Sequence, residues 1–286
     1  MSEYPVYHFH KTKYGRELLI DLIRLESLDK YIRRDPVHGL SYFDITFILE
    51  GEGTFEIDGS RFPVCRNRLF FTAPGQVRKW ETGSLPRGLV LIFEEEFLCN
   101  FFNDSLFVQK LSFFPTGYAA PALSLSEEQG CYLKTILTGI EKEIAKTKDF
   151  HLLRSLLYHA LAWINSAYRF NHHLPEAPEI SKRIFRFRHL VEQHFKQDHT
   201  VSFYAEKLCI TPGHLNDLVK EQVGLTVKQY LQNRVILEAK RLLLYSELPV
   251  SEIAWALNYQ DSSYFIRLFR SVTGSAPLAF RKKHHP

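Results

Sequence analysis

The feature that restricts this chain most is a pattern that occurs twice in its last third. From Tyr204 to Gly224 the residues read YAEKL, CI and TPGHLNDLVKEQVG, the signature of a short helix, a turn and a second helix. Ala205 and Leu208 supply the inward face of the first helix. Thr211 and Pro212 open the second with an N-cap hydroxyl and a proline at the first helical position. Leu215, Leu218 and Val219 give that second helix an apolar face, which leaves Gly213, His214, Asn216, Asp217 and Lys220 outward, and Gly224 closes it through a glycine turn. About fifty residues later the pattern returns, which marks an internal repeat. Val250, Ile253, Ala254 and Leu257 form the short helix, Asn258-Tyr259-Gln260 the turn, and Asp261 to Arg270 the second helix, ending near Gly274. Ala254 is small where two helices cross, and Asn258 stands where the turn needs a left-handed backbone, which Asn tolerates better than most residues.

Between the repeats, Val227, Leu231, Val235, Ala239 and Leu242 fall at three- and four-residue steps along one continuous helix of about twenty residues, about 30 Å long. A rigid helix of that length matches the spacing of about 34 Å between successive major-groove faces on one side of B-DNA. The charge distribution agrees. The 286 residues carry 36 Lys and Arg against 32 Asp and Glu, a net +4, but unevenly. Residues 1–179 hold 20 basic and 23 acidic side chains, net −3, whereas 180–286 hold 16 and 9, net +7. A basic third on an otherwise slightly acidic chain suits a polyanion, because Lys and Arg displace the counterions condensed on nucleic acid.

The amino-terminal half follows a different rule. From Tyr42 to Trp80 short β-branched and aromatic segments alternate with turn residues, and Asp58-Gly59 between Phe55-Glu56-Ile57 and Arg61-Phe62 predicts a hairpin. Several short strands at close spacing predict a sandwich or barrel. After Glu94 the period changes: Leu133, Ile136, Leu137, Ile140 and Ile144, then Leu152, Leu153, Leu156, Leu157, Ala160, Leu161 and Ile164, predict two amphipathic helices. Ser126 and Gln129 have the spacing of a capping box at the start of the first. Periodicity alone leaves open whether these helices pair with a second copy or pack on their own strands.

A hydrophobic content of 45% suffices for a large core, and no apolar run approaches the roughly 20 residues that span a bilayer. The start, MSEYPVYHFHK, lacks the basic and apolar regions of a secretory signal, so a cytoplasmic location is expected. Cys65, Cys99, Cys131 and Cys209 form no CxxC pair and are expected as reduced core residues rather than zinc ligands or disulfides.

The carboxy-terminal third resembles a known family closely. The residues that carry the likeness are Ala205-x-x-Leu208-x-x-Thr211-x-x-x-Leu215, then Tyr230-Leu231, Arg234, Ala239 and Leu242-Leu243, then Ile253-Ala254, Tyr264-Phe265, Arg267, Phe269-Arg270, Gly274, Pro277 and Phe280-Arg281. Over about 185–283 they resemble the DNA-binding domain of AraC/XylS-type transcription regulators. The strand pattern over about 38–95 is similar to the cupin-like sensor half of such regulators. The resemblance implies an α+β chain: a cupin-like jelly-roll barrel with two following helices, then an all-α domain with two helix-turn-helix units joined by a long helix. It implies an effector-sensing and dimerisation domain over 1–170, a linker over 171–180, and a DNA-binding domain over 181–286. It also implies a homodimeric activator that contacts double-stranded DNA, a small-molecule effector such as a carbohydrate, and RNA polymerase.

The DNA-facing residues implied are Thr211, Gly213, His214, Asn216, Asp217 and Lys220 in the first unit, and Ser262, Ser263, Ile266, Arg267 and Arg270 in the second. Arg267 can donate two hydrogen bonds to guanine, Ser262 and Ser263 can donate or accept, Ile266 can pack on a thymine methyl, and Asn216 can pair with adenine. Asp217 stands where the family often has Arg; it repels phosphate unless it accepts from a cytosine amino group. Lys220, Lys228, Arg270, Lys282 and Lys283 are candidates for phosphate contacts.

In the sensor half the HxH pair of metal-dependent cupins is missing from the strands, and Pro74-Gly75-Gln76-Val77-Arg78 puts Arg78 where a His is common. His8-Phe9-His10 lies ahead of the strands. No nucleophile elbow or phosphate-cradling glycine loop is present. No metal, cofactor or catalytic group is therefore expected. The interior is expected to bind the effector through His38, Tyr42, Phe47, Arg78 and Trp80, with Phe43 and Phe55 beside them. A cupin enzyme with a DNA-binding appendage and a ligand-independent regulator are the alternatives.

Overall fold

The computed structural model describes residues 4–13, 17–99, 107–114, 120–146, 149–174 and 182–284. The chain divides into two compact units, residues 4–176 and residues 177–286. Most of the linker expected over 171–180 lies outside the described residues.

The first unit contains ten strands: β1 (Val6–Tyr7), β2 (Ile20–Arg24), β3 (Val37–Leu40), β4 (Phe43–Glu50), β5 (Gly53–Ile57), β6 (Ser60–Val64), β7 (Arg68–Thr72), β8 (Val77–Glu81), β9 (Arg87–Phe93) and β10 (Ala122–Ser124). Four helices accompany them: α1 (Asp29–Arg34), α2 (Glu96–Cys99), α3 (Glu127–Lys146) and α4 (Phe150–Asn171). The strands form two five-stranded sheets, β1-β3-β8-β5-β6 and β10-β7-β4-β9-β2, rather than the closed barrel expected. The predicted hairpin joins β5 to β6: Ile57 pairs with Ser60, and Asp58 and Gly59 both take positive φ, +49° and +80°. Two consecutive left-handed residues follow the right-handed strand twist, which is why Asp-Gly suits this turn.

Strand β4 shows how the unit is layered. Its even residues face the other sheet, so that Ile48 joins Phe55, Ile57, Phe70, Trp80, Val90 and Ile92 in the sandwich interior. Its odd residues, Ile45 and Phe47, join Leu69, Phe71, Leu89, Leu91 and Phe93 in a second core against Leu133, Leu137, Leu157 and Leu161 of α3 and α4. Both faces of this sheet are buried, and its strands accordingly read as nearly continuous apolar runs. The capping box at α3 forms, with Ser126 N–H donating to Gln129 Oε1 (3.0 Å) and Gln129 N–H to Ser126 Oγ (3.2 Å).

The second unit is helical: α5 (Lys182–His194), α6 (Val201–Lys207), α7 (Pro212–Val223), α8 (Val227–Tyr245), α9 (Val250–Ala256), α10 (Ser262–Thr273) and α11 (Pro277–His284). Helices α6 and α7 make the first helix-turn-helix, α9 and α10 the second, and both share one core with α8. The two units end alike, with Gly224 and Gly274 in the left-handed region at φ +76° and +79°. At the far end of α8, Arg281 Nε donates to Leu243 O (3.0 Å) and Nη2 to Ser246 O (3.2 Å) and Leu248 O (2.7 Å), satisfying carbonyls that a helix end and the chain after it leave unpaired.

The cysteines depart from expectation. Cys65, Cys131 and Cys209 are exposed, because each sits in a turn or on an outward helix face rather than on an apolar stripe. Among the described residues no helix is long and apolar enough to cross a membrane.

Candidate nucleic-acid interface and a buried polar cluster

The two second helices of the repeats are built by the same local rules. Thr211 caps α7 by accepting from His214 N–H (3.2 Å), which leaves its own O–H free to donate. Asp261 caps α10 by accepting from Ser263 N–H (2.8 Å). Leu215 and Val219 of α7, and Phe265, Leu268 and Phe269 of α10, are fully or nearly fully buried against the unit's core. That anchoring turns Gly213, His214, Asp217 and Lys220 outward on α7, and Ser263, Ile266, Arg267 and Arg270 outward on α10, with Ser262 half-buried. Lys228, Lys282 and Lys283 are exposed as well.

Arg267 is largely free on the outward face of α10. Its side chain is 71% exposed, and its one acidic neighbour, Asp261, is 3.9 Å away and exposed too. Such a loose surface pair is worth little and releases the guanidinium readily. Asn216 is different. It is half-buried, and its Oδ1 accepts from Val227 N–H (3.2 Å) at the first turn of α8. A bidentate contact with adenine needs that same oxygen, so Asn216 ties α7 to α8 instead of facing outward. The spacing that made Asn216 outward on α7 carries no information about the following helix.

In the β unit, a polar cluster lies between the sheets. His38 on β3 stands opposite Arg78 on β8, and Asp44 on β4 stands opposite Thr72 on β7. Arg78 Nη1 reaches across to Asp44 Oδ2 (2.8 Å), and Thr46 Oγ1 donates to Asp44 Oδ1 (2.8 Å). Arg78 Nε donates to His38 Nε2 (3.0 Å), while His38 Nδ1 lies 2.8 Å from Asp35 O. These bonds fix one neutral tautomer, with the proton on Nδ1. Burial, and then the adjacent Arg78 charge, push the His38 pKa down to about 4. Burial also raises the Tyr42 phenol to about 12. Trp80 stacks on Phe55 at 4.1 Å between ring centres. The buried Thr72 Oγ1 and Trp80 Nε1 have no hydrogen-bond partner.

His38, Arg78, Trp80 and Tyr42 are thus brought to the sandwich interior, and Phe55 with them. Phe47 and Phe43 are not; both lie on the opposite face of β4, toward α3 and α4. Asp44, Thr46 and Thr72 were missed as site residues, although the alternation of Phe43, Ile45 and Phe47 with Asp44 and Thr46 already separates two faces. Among the described residues no group of three or more His, Cys, Asp or Glu side chains could hold a metal ion.

The chain is similar to several known proteins. A family described as a helix-turn-helix domain matches residues 204–283. The arabinose operon regulatory protein of Salmonella typhimurium is 24% identical over 280 residues, covering 94% of each chain. By these matches the chain is similar to AraC/XylS-type transcription regulators, over residues 204–283 through the helix-turn-helix family and over 280 residues through the arabinose regulator. Over a shorter stretch the likeness is stronger: the HTH-type transcriptional activator RhaR of Cronobacter sakazakii is 36% identical over 89 residues, 31% of this chain and 30% of that one. Among solved structures, the C-terminal domain of AraT, a response regulator from Geobacillus stearothermophilus, is 31% identical with a TM-score of 0.36, covering 37% of this chain and 88% of that one. The relatives are named as regulators, not enzymes.

Three outcomes follow for this chain. Asn216→Ala lowers the thermal midpoint by an amount equivalent to about 1 kcal/mol, the ordinary cost of losing a helix-terminal hydrogen bond. Arg267→Ala leaves the midpoint unchanged, because its exposed side chain makes only a loose surface pair. The third outcome concerns pH. His38 is neutral when folded, with a pKa of about 4 against an ordinary 6.5, so its contribution is fully present above pH 6.5 and is lost as pH falls toward 4. The melting temperature of the native protein therefore falls over that window, and His38→Gln flattens the fall. An equally steep fall in the variant assigns the effect elsewhere.

Proposed function

We propose that this regulator is an effector-controlled activator. In this reading a small polar molecule enters the interior of the β unit, and α7 and α10 insert into successive major grooves of one DNA site. The observation that carries the first half is a pair of orphaned donors, Thr72 Oγ1 and Trp80 Nε1, buried in the same unit as the Arg78–Asp44 ion pair. A buried donor without an acceptor costs about 1–3 kcal/mol, so a ligand offering hydroxyl oxygens is selected over an apolar one. An aromatic face next to such donors suits a carbohydrate. The cupin-like description of the two sheets, dimerisation through α3 and α4, contact with RNA polymerase and a cytoplasmic location belong to the same proposal.

The DNA half assigns unequal roles to the two units. In α10, Arg267 reads guanine, Ser262 and Ser263 read either base type, and Ile266 packs on a thymine methyl, while Arg270 holds phosphate. In α7, His214 and Asp217 offer base contacts, Gly213 and Thr211 allow close backbone approach, and Lys220 holds phosphate. Specificity is then concentrated in the second unit.

A panel of sugars and polyols tests the effector. A ligand selective for the native state raises the melting temperature, by the equivalent of about 2.7 kcal/mol at a hundred times its Kd. Thr72→Val abolishes that rise without lowering the melting temperature of the free protein, and Trp80→Phe abolishes it at a modest cost in that temperature from the smaller ring. Absence of any rise with the native chain, or its survival in both variants, contradicts the proposal.

A further inference from the structure

Helix α8 is one connection between the two helix-turn-helix units, and the fold contains a second. The two turns share a backbone: Cys209 in the first and Asn258 in the second both lie in the left-handed region, at φ +54° and +58°. In each, the next residue's N–H returns to the small helix residue, Ile210 to Ala205 O (3.0 Å) and Tyr259 to Ala254 O (2.9 Å). The side chains differ. Cys209 is exposed. Asn258 Nδ2 donates to Gln197 O at 2.6 Å, and the adjacent Tyr259 ring stacks on His199, with ring centres 4.6 Å apart and planes inclined by 21°.

Gln197 and His199 belong to the segment between α5 and α6, and that segment is bound firmly to the first helix-turn-helix. Tyr204, fully buried on α6, donates from its hydroxyl to Asp198 O (2.8 Å), and Thr200 caps α6. The same segment is tied to the middle of α8. Lys196 Nζ lies 2.7 Å from Glu238 Oε1, and Arg234 sits 3.8 Å over the Phe195 ring. Segment 195–200 therefore meets the first unit, the connecting helix and the turn of the second unit.

A helix joining two bodies at its ends bends and twists about them, whereas three mutually braced members hold an angle. We propose that Asn258, Tyr259 and His199 are positioning residues that lock the angle between α7 and α10, so that the chain accepts one spacing between its two DNA subsites. None of the three has to touch DNA for this. Tyr259 also stacks on Tyr264 of α10, at 5.9 Å, so the brace leads directly to the second recognition helix. Holding both helices in register before binding removes an ordering cost and penalises DNA whose subsites are misplaced. Inserting one base pair turns the second subsite by about 35° and moves it by about 3.4 Å.

The test uses the full-length chain and a random-sequence DNA pool, with Asn258→Gly and Asn258→Gly/His199→Ala as variants. Glycine keeps the positive φ and removes only the amide, so the single variant remains folded, and helical circular dichroism with a thermal midpoint checks both. The native protein should select two sequence blocks at one spacing, and lose about tenfold in affinity when one base pair is inserted or deleted between them. The variants should select the same two blocks at several spacings, with less than about a threefold loss on insertion. A merely structural role lowers the midpoint without changing the spacing distribution. Folded variants that retain the native single spacing overturn the proposal, as does a native protein that already tolerates several. Selection of one block alone by the native chain overturns instead the assignment of both units to DNA.

Discussion

Helix α8 must find neighbours around most of its circumference. Eleven of its nineteen residues are buried, a share that no single helix packed on one side can cover, so both helix-turn-helix units are needed to complete it. Glu238 and Arg241 lie within that buried set, which makes the arrangement specific as well as apolar. Burial alone pushes the Glu238 carboxyl up, but Arg241, Arg234 and Lys196 outweigh it and hold the group below its usual range. Removing any one cation leaves a buried charge less well compensated, which is costly. Because Lys196 comes from the segment before α6, this ionic cluster fixes the approach of the first unit to α8, while the Arg281 contacts at its far end fix the approach of α11. The outward direction of Arg267, and of every other proposed reader, follows from that packing.

The β unit depends on a comparable constraint, the alternation of β4. One face must satisfy the core against α3 and α4, and the other faces the opposing sheet. Placing Asp44 and Thr46 on the inner face puts a carboxylate where only a cation can balance it, and Arg78 provides that balance from the other sheet. Thr72 and Trp80 remain with buried donors unpaired, and a bound molecule offering acceptors would complete them.

Much of the helical unit was legible because its signals are local. The N-cap at Thr211, left-handed Asn258, Gly224 and Gly274, and three- and four-residue apolar steps are decided within a few residues of chain. Asn216 was misread because its partner, Val227, belongs to the next helix. The brace through Gln197 and His199 was invisible for the same reason, since sixty residues separate Asn258 from the carbonyl it meets. In the β unit, hairpin and strand positions followed from Asp58-Gly59 and β-branched runs, but whether the strands close into a barrel depends on pairings between distant strands. Phe47 was assigned to the interior by residue type, and strand parity sends it the other way. The cysteines were taken as core on average preference, which says nothing about a particular turn or helix face.

The account stands on one chain presenting two recognition helices to a continuous stretch of duplex. Hydroxyl-radical footprinting of the full-length protein on a selected DNA fragment examines this directly, because it reads backbone protection without presuming which bases are contacted. Two protected windows on one face of the duplex, about one helical turn apart for each bound chain, are the predicted result. A single window per chain, or uniform protection that disappears with moderate salt, would contradict it.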